Sequence, residues 1–220
     1  MADNSRRKFL AKVSFILGGL VMASEPFFSF WAKAWGQVKR RILEPGTDRN
    51  SLIYERPKDL DARNLEITPV SDFGVMGLSD HKVDLSRWRL KVEGWVSKPL
   101  DLDYTQIRGL PAIERKVLLI CPGYFVNQGL WKGISIKTIL ERAGLKDGAQ
   151  TVVISGPEGD YSKPEAFPME EIRSDRIFLA YGVNGDDLPL KHGFPLRLVA
   201  EDYNGSTWVK FVDSIRVEKI

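Results

Sequence analysis

The sequence predicts an α+β fold, a mixed β-sheet domain with peripheral helices. Two observations carry this: strand-like runs outnumber helical ones, and they do not alternate with helices as a regular parallel α/β sheet would require. The first clear strand is Trp88–Val96, where residues alternate between two faces. Val117-Leu118-Leu119-Ile120 is a short apolar run of the kind that fills a buried strand, and it leads through Cys121 into the tight turn Pro122-Gly123. From Ser135 to Ala143 the period changes, placing Ile136, Ile139, Leu140 and Ala143 on one helical face with Gly144 as a stop. Thr151–Ser155 and Ile177–Val183 read as short strands, and Asn184-Gly185 as a hairpin turn. Trp208–Val217 closes the chain as a strand or strand pair.

Three regions follow from composition: residues 1–34, 35–69 and 70–220. The first carries Arg6-Arg7 ahead of a moderately apolar stretch from Val13 to about Ala23 that contains Gly18-Gly19, the pattern of a twin-arginine export signal. A helix of roughly a dozen apolar residues rises about 18 Å, short of the roughly 30 Å hydrocarbon core of a bilayer. Ala32-Lys33-Ala34 resembles a small-residue cleavage site, whereas Phe27, Phe28, Phe30 and Trp31 could keep an uncut segment at a membrane surface. The expected localisation is therefore periplasmic or otherwise extracytoplasmic, with cleavage or a retained anchor both open. The second region is polar, broken by Pro45-Gly46 and Pro57, and reads as a tether or wrapping arm.

Removing the signal leaves about 185 residues, enough for one domain with an ordinary core. That core must supply the stability, because one cysteine cannot form an internal disulfide. A formal net charge of +3, drawn largely from the N-terminal arginines and lysines and from Lys39-Arg40-Arg41, offers no nucleic-acid patch. Two histidines and one cysteine do not make a four-ligand zinc site, and neither phosphate-loop nor GxSxG hydrolase signatures occur. Cys121 and His192 could pair as thiol nucleophile and base, which leaves a thiol hydrolase as an alternative reading. A cofactor-free binding module is a third.

Cys121-Pro122-Gly123, Trp131-Lys132-Gly133, Gly159-Asp160-Tyr161, Asn184-Gly185, His192-Gly193-Phe194-Pro195-Leu196-Arg197-Leu198-Val199, and then Gly205 and Lys210 occur in one order. In that order and spacing the chain resembles the molybdopterin-binding domain of the sulfite oxidase family, over roughly residues 70–220. The resemblance implies molybdenum held by Cys121 and by the dithiolene of a molybdopterin, whose nucleotide extension stays open. It implies a cofactor cradle of His192, Arg197, Gly205, Ser206, Thr207 and Lys210, with Tyr124 and Asn127 as candidates for the substrate mouth. A planar guanidinium suits an anionic pterin end, and a soft thiolate suits a redox metal.

The residues after Gly123 are Tyr124 and Phe125, and Gly205-Ser206-Thr207-Trp208-Val209-Lys210 carries fewer cations than the sulfite oxidase pattern. The resemblance is thus closer to the small exported bacterial members, of the type of the periplasmic methionine sulfoxide reductase catalytic subunit, than to sulfite oxidase proper. The chain ends at Ile220, right after this domain. It is accordingly expected to act as a monomer that relies on a separate redox partner, such as a haem protein or a quinone-linked membrane subunit.

Overall fold

A computed structural model describes residues 40–219. The twin-arginine segment, the apolar stretch and Ala32-Lys33-Ala34 lie outside the described residues. Within them the expected α+β architecture of mixed sheets and a few short helices is present.

The site-bearing sheet is built on a long hairpin, β5 (Ala112–Cys121) and β6 (Phe125–Ser135), paired in register from Ala112 opposite Ile134 to Cys121 opposite Phe125. β9 (Ile177–Val183) pairs antiparallel with β6. It pairs also with β10 (Asp186–Asp187) and β11 (Arg197–Ala200). Asn184 and Gly185 both take positive φ, 55° and 94°, as a two-residue hairpin turn between β9 and β10 requires. β9 is buried along its whole length, which is why it reads as an uninterrupted apolar run.

The second sheet is mixed. β12 (Ser214–Glu218) runs parallel to β3 (Leu90–Gly94) and antiparallel to β7 (Thr151–Ser155). β4 (Leu100–Leu102) and β8 (Glu165–Pro168) flank them. Three short helices, α1 (Tyr104–Arg108), α2 (Ile136–Ala143) and α3 (Met169–Arg173), complete the regular structure. The side chain of Ser135 caps α2 by accepting from the Thr138 N–H, Gly144 ends it at φ 68°, and the four residues predicted for its inner face are the buried ones.

Two strands are shorter than expected. The Trp88–Val96 run is strand only over Leu90–Gly94: a turn in which the Trp88 N–H donates to the Asp84 carbonyl precedes it, and Gly94 ends it at φ 88°. A Cβ on Gly94 would fall 2.2 Å from the Val217 carbonyl oxygen, so the neighbouring strand also requires glycine there. Likewise Trp208–Val217 is strand only from Ser214. The preceding stretch folds irregularly against residues 193–198 through bonds such as Phe211 N–H to Gly193 C=O and Val212 N–H to Leu196 C=O.

Residues 40–68 wrap the body instead of trailing from it. β1 (Arg41–Ile42) and β2 (Leu60–Asp61) pair in parallel. Leu43, Leu52, Leu60 and Leu65 are buried in an apolar cluster with Leu118, Ile120 and Val126 of the long hairpin.

Candidate cofactor and active site

Cys121 is the last residue of β5, where the apolar run gives way to the turn. The Tyr124 N–H closes that turn on the Cys121 carbonyl at 3.0 Å, with Gly123 at φ 80°. The thiol borders a cavity of about 550 Å³. Around it the fold collects Tyr124 from the turn, His192 after β10, Arg197 from β11, and Gly205, Ser206 and Lys210 from the segment before β12. These residues, separated by up to ninety positions in sequence, meet because β9 binds β6 on one edge and β10 and β11 on the other.

Two residues of the expected set are placed elsewhere. Thr207 lines a neighbouring groove of about 800 Å³, which shares Ser206 with the cysteine cavity and is bordered by the ion-paired Arg176 and Asp202. Asn127, expected at the mouth, is buried in β6 opposite Leu119. With its amide oriented to satisfy both neighbours, it accepts from the Gly74 N–H and donates to the Val126 carbonyl, each at 3.2 Å. The segment after Phe73 passes over this part of the hairpin so closely that a Cβ on Gly74 would overlap the Phe125 ring. Asn127 is therefore covered by the segment that supplies Gly74, Met76 and Leu78 to the cavity.

The electrostatics are one-sided. Arg197 is buried; its Nη1 donates to the His192 carbonyl at 2.8 Å, its guanidinium carbon lies 5.2 Å from the Trp208 ring centre and 5.6 Å from that of Trp131, and its Nε has no partner. Burial lowers its pKa to about 10, and the nearby Cys121 opposes that shift. Burial, then the charges of Arg197, Lys191 and Lys210, hold the His192 imidazole down at about 4, and its Nε2 is buried without a partner. Lys210 is lowered to about 8 by burial and then by Arg197, while its Nζ donates to the Leu78 carbonyl at 3.2 Å. Asp160, an exposed residue, is the carboxylate of the lining. The cavity thus disfavours positive charge on His192, Arg197 and Lys210, and an anion placed among these three would oppose that penalty.

Such a site fits a molybdenum-pterin. The partnerless Arg197 Nε and His192 Nε2 are donors or acceptors awaiting a ligand. Gly205 keeps the floor open, since a Cβ there would stand 3.0 Å from Leu119 and 3.6 Å from the Cys121 Cβ. No group of three or more metal-binding side chains exists among the described residues, so a metal at Cys121 must arrive with most of its ligands. A thiolate–imidazolium pair is poorly served: burial pushes the Cys121 thiol up, the imidazole is held neutral, and its Nε2 bonds to nothing.

Lys163 was not visible as a site residue in the sequence. Its Nζ donates to Glu165 Oε1 at 2.7 Å, to the Ser206 carbonyl, and to the Trp208 carbonyl at 3.4 Å, so it pins the Gly205–Trp208 loop from forty residues away. Tyr161, part of the Gly159-Asp160-Tyr161 motif, lines the cavity and donates to Asp80 at 2.7 Å.

Comparison with known proteins agrees with this chemistry. The uncharacterised oxidoreductase YuiH of Bacillus subtilis strain 168 is 32% identical over 115 residues, which cover 52% of this chain and 57% of that protein. An NADH nitrate reductase of Volvox carteri is 26% identical over 220 residues, covering 84% of this chain and 25% of the relative. The crystal structure of the sulfane dehydrogenase SoxCD from Paracoccus pantotrophus superposes with a TM-score of 0.61 at 21% identity, over 83% of this chain and 51% of that one. The chain spans about half or less of the length of most of these relatives. The model of the oxidoreductase molybdopterin binding domain matches residues 77–219, a stretch that takes in Cys121, His192, Arg197 and Lys210 alike. The chain therefore belongs to that oxidoreductase family, whose redox cofactor is molybdenum with molybdopterin.

Proposed function

We propose that this chain is an exported molybdenum-pterin oxidoreductase performing oxygen-atom transfer, or a related two-electron redox reaction, on a small molecule or an oxidised protein side chain. The observation that carries the reading is the convergence of one thiol, Cys121, with Arg197, His192 and Lys210 on a single cavity. When bound, the cofactor supplies the two-electron redox chemistry. Cys121 would hold the metal, and its thiolate would set the metal's electron density. Arg197 and Lys210 would bind the anionic end of the pterin, with His192 Nε2 and Ser206 as hydrogen-bonding groups beside them.

At the mouth stand Tyr124, 69% exposed, with Met76 and Leu78. The Tyr124 hydroxyl can hydrogen-bond a substrate oxygen, and the apolar pair shields the approach from water. Nitrate, named for several relatives, is a small anion; an apolar rim with its cations assigned to the cofactor favours an uncharged substrate group. Export rests on Arg6-Arg7, since the twin-arginine route carries folded, loaded proteins. A separate haem protein or quinone-linked subunit would exchange the electrons.

The direct test is metal and pterin analysis of the full chain from a host that makes the cofactor. The parent is expected to hold about one molybdenum and one pterin per chain, and Cys121→Ser to lose the metal's normal spectrum and the activity. Protein lacking both, yet cleaving esters or peptides in a thiol-dependent way, would sink the reading in favour of a hydrolase.

A further inference from the structure

Residues 40–68 lie outside the stretch matched by the family model, yet they support the strand that ends in Cys121. Side chains alternate across a strand, and β5 uses both faces. Leu119 and Cys121 border the cavity, whereas Leu118 and Ile120 turn to the opposite face. That opposite face is covered by Leu52, 1% exposed, together with Leu43, Leu60 and Leu65. Leu52 ends a short 3₁₀ turn, Arg49–Leu52, whose start is capped by Asp48 accepting from the Asn50 N–H. The next residue, Ile53, accepts from the Gly123 N–H at 3.3 Å, so the arm is bonded to the cysteine turn itself. Tyr54 then lies over Gly123, with its ring and hydroxyl 3.7 Å from where a Cβ would be.

We propose that the arm is a positioning element for the metal ligand, with Leu52 as its key residue. It packs behind Leu118 and Ile120 and holds the Gly123 amide, and so fixes the direction in which Cys121 leaves β5. The thiol sits at the very end of β5, next to the three-residue turn 122–124, and outer groups that orient a ligand commonly decide metal affinity and electronic structure. The proposal rests on Cys121 as the molybdenum ligand, but its first consequence is visible without the metal.

The test compares Leu52→Ala with Ile139→Ala, a truncation of similar kind in α2 and remote from the arm cluster. In the full-length apoprotein, amide exchange at Gly123 and Tyr124 is expected to accelerate about tenfold or more in Leu52→Ala, beyond any change in global stability. In Ile139→Ala those two amides should follow global stability alone. Leu52→Met, which keeps the volume, should restore protection. In the loaded enzyme the electronic absorption and paramagnetic spectra of the thiolate-bound molybdenum should shift in Leu52→Ala and stay at the parent values in Ile139→Ala. Equal protection of Tyr124 in the two truncations, or an unshifted spectrum in Leu52→Ala, overturns the proposal. Parent protein without molybdenum would refute Cys121 as ligand, while the amide exchange still reports whether the arm holds the turn.

Discussion

Arg197 donates to the main-chain oxygen of His192 at 2.8 Å, while the Nε of the first and the Nε2 of the second are buried with no partner. That bond orients the guanidinium and ties it to the main chain that carries His192, and each side chain keeps a nitrogen whose hydrogen-bonding capacity is unused. A buried guanidinium that lies against two tryptophan rings and lacks a carboxylate is costly in the empty protein. An anionic cofactor relieves that cost, which couples cofactor binding to folding stability.

Arg197→Ala is expected to lower pterin occupancy by about tenfold or more, since charge-assisted contacts are worth on the order of 1.5–3 kcal/mol. Arg197→Lys should restore only part of it, because an ammonium lacks the planar fork that lies against the Trp131 and Trp208 rings. Pterin content measured beside the kinetics of the loaded fraction decides the point. Normal occupancy with a collapsed apparent substrate affinity would place Arg197 against the substrate.

Buried His192 and part-buried Asp213 should give the empty protein opposing acid responses. His192 falls from 6.5 to about 4 on folding, so its contribution is present above about pH 6.5 and is lost as pH drops toward 4. Asp213 rises from 3.8 to about 6 through burial, opposed by Lys91 and a backbone N–H. Its carboxyl keeps a proton that the unfolded chain has released, so its penalty grows as pH climbs from about 4 to 6 and persists above. Asp213→Asn should therefore match the parent below pH 4 and exceed it above pH 6, by on the order of 1 kcal/mol after allowing for solvent screening. Urea denaturation of apoprotein at pH 4 and pH 7.5 measures the difference.

Where burial is decided locally, the sequence was readable. Ile136, Ile139, Leu140 and Ala143 form one helix face whatever packs on them, and β7 and β9 begin and end where their apolar runs do. The gathering of Cys121, His192, Arg197 and Lys210 was legible through the order of short motifs, each weak by itself. The arm was not: Leu43, Leu52, Leu60 and Leu65 follow no period, because what buries them is the back face of β5. Asn127 and the start of the Trp208–Val217 run fail for a related reason, since a distant segment covers the first and bonds to residues 193–198 bend the second. Lys163 acts across forty positions and left no local signal.

Asn184 joins three segments. Its side chain accepts from the Leu130 N–H and donates to the Thr68 carbonyl, both at 2.9 Å, and its backbone sits at φ 55° in the hairpin turn. Asn184→Ala should cost about 2–3 kcal/mol by removing two part-buried bonds and straining the turn. Asn184→Gly should recover only the part due to backbone conformation. Chemical denaturation of the three proteins separates the two contributions, and equal loss in both variants would show that the turn itself carries no strain.

Arg6 and Arg7 are expected to be read as a pair by the export machinery. A protein loaded with its cofactor before crossing a membrane must cross folded, because the buried Arg197 and the cavity around Cys121 exist only in the folded chain. Arg6→Lys with Arg7→Lys keeps the charge and removes the paired guanidinium groups, so it should leave precursor in the cytoplasm with molybdenum and pterin bound. Fractionation with metal analysis of each compartment reads the outcome. Unchanged export of the double variant would reject the twin-arginine assignment, and a cofactor-free cytoplasmic pool would separate loading from export.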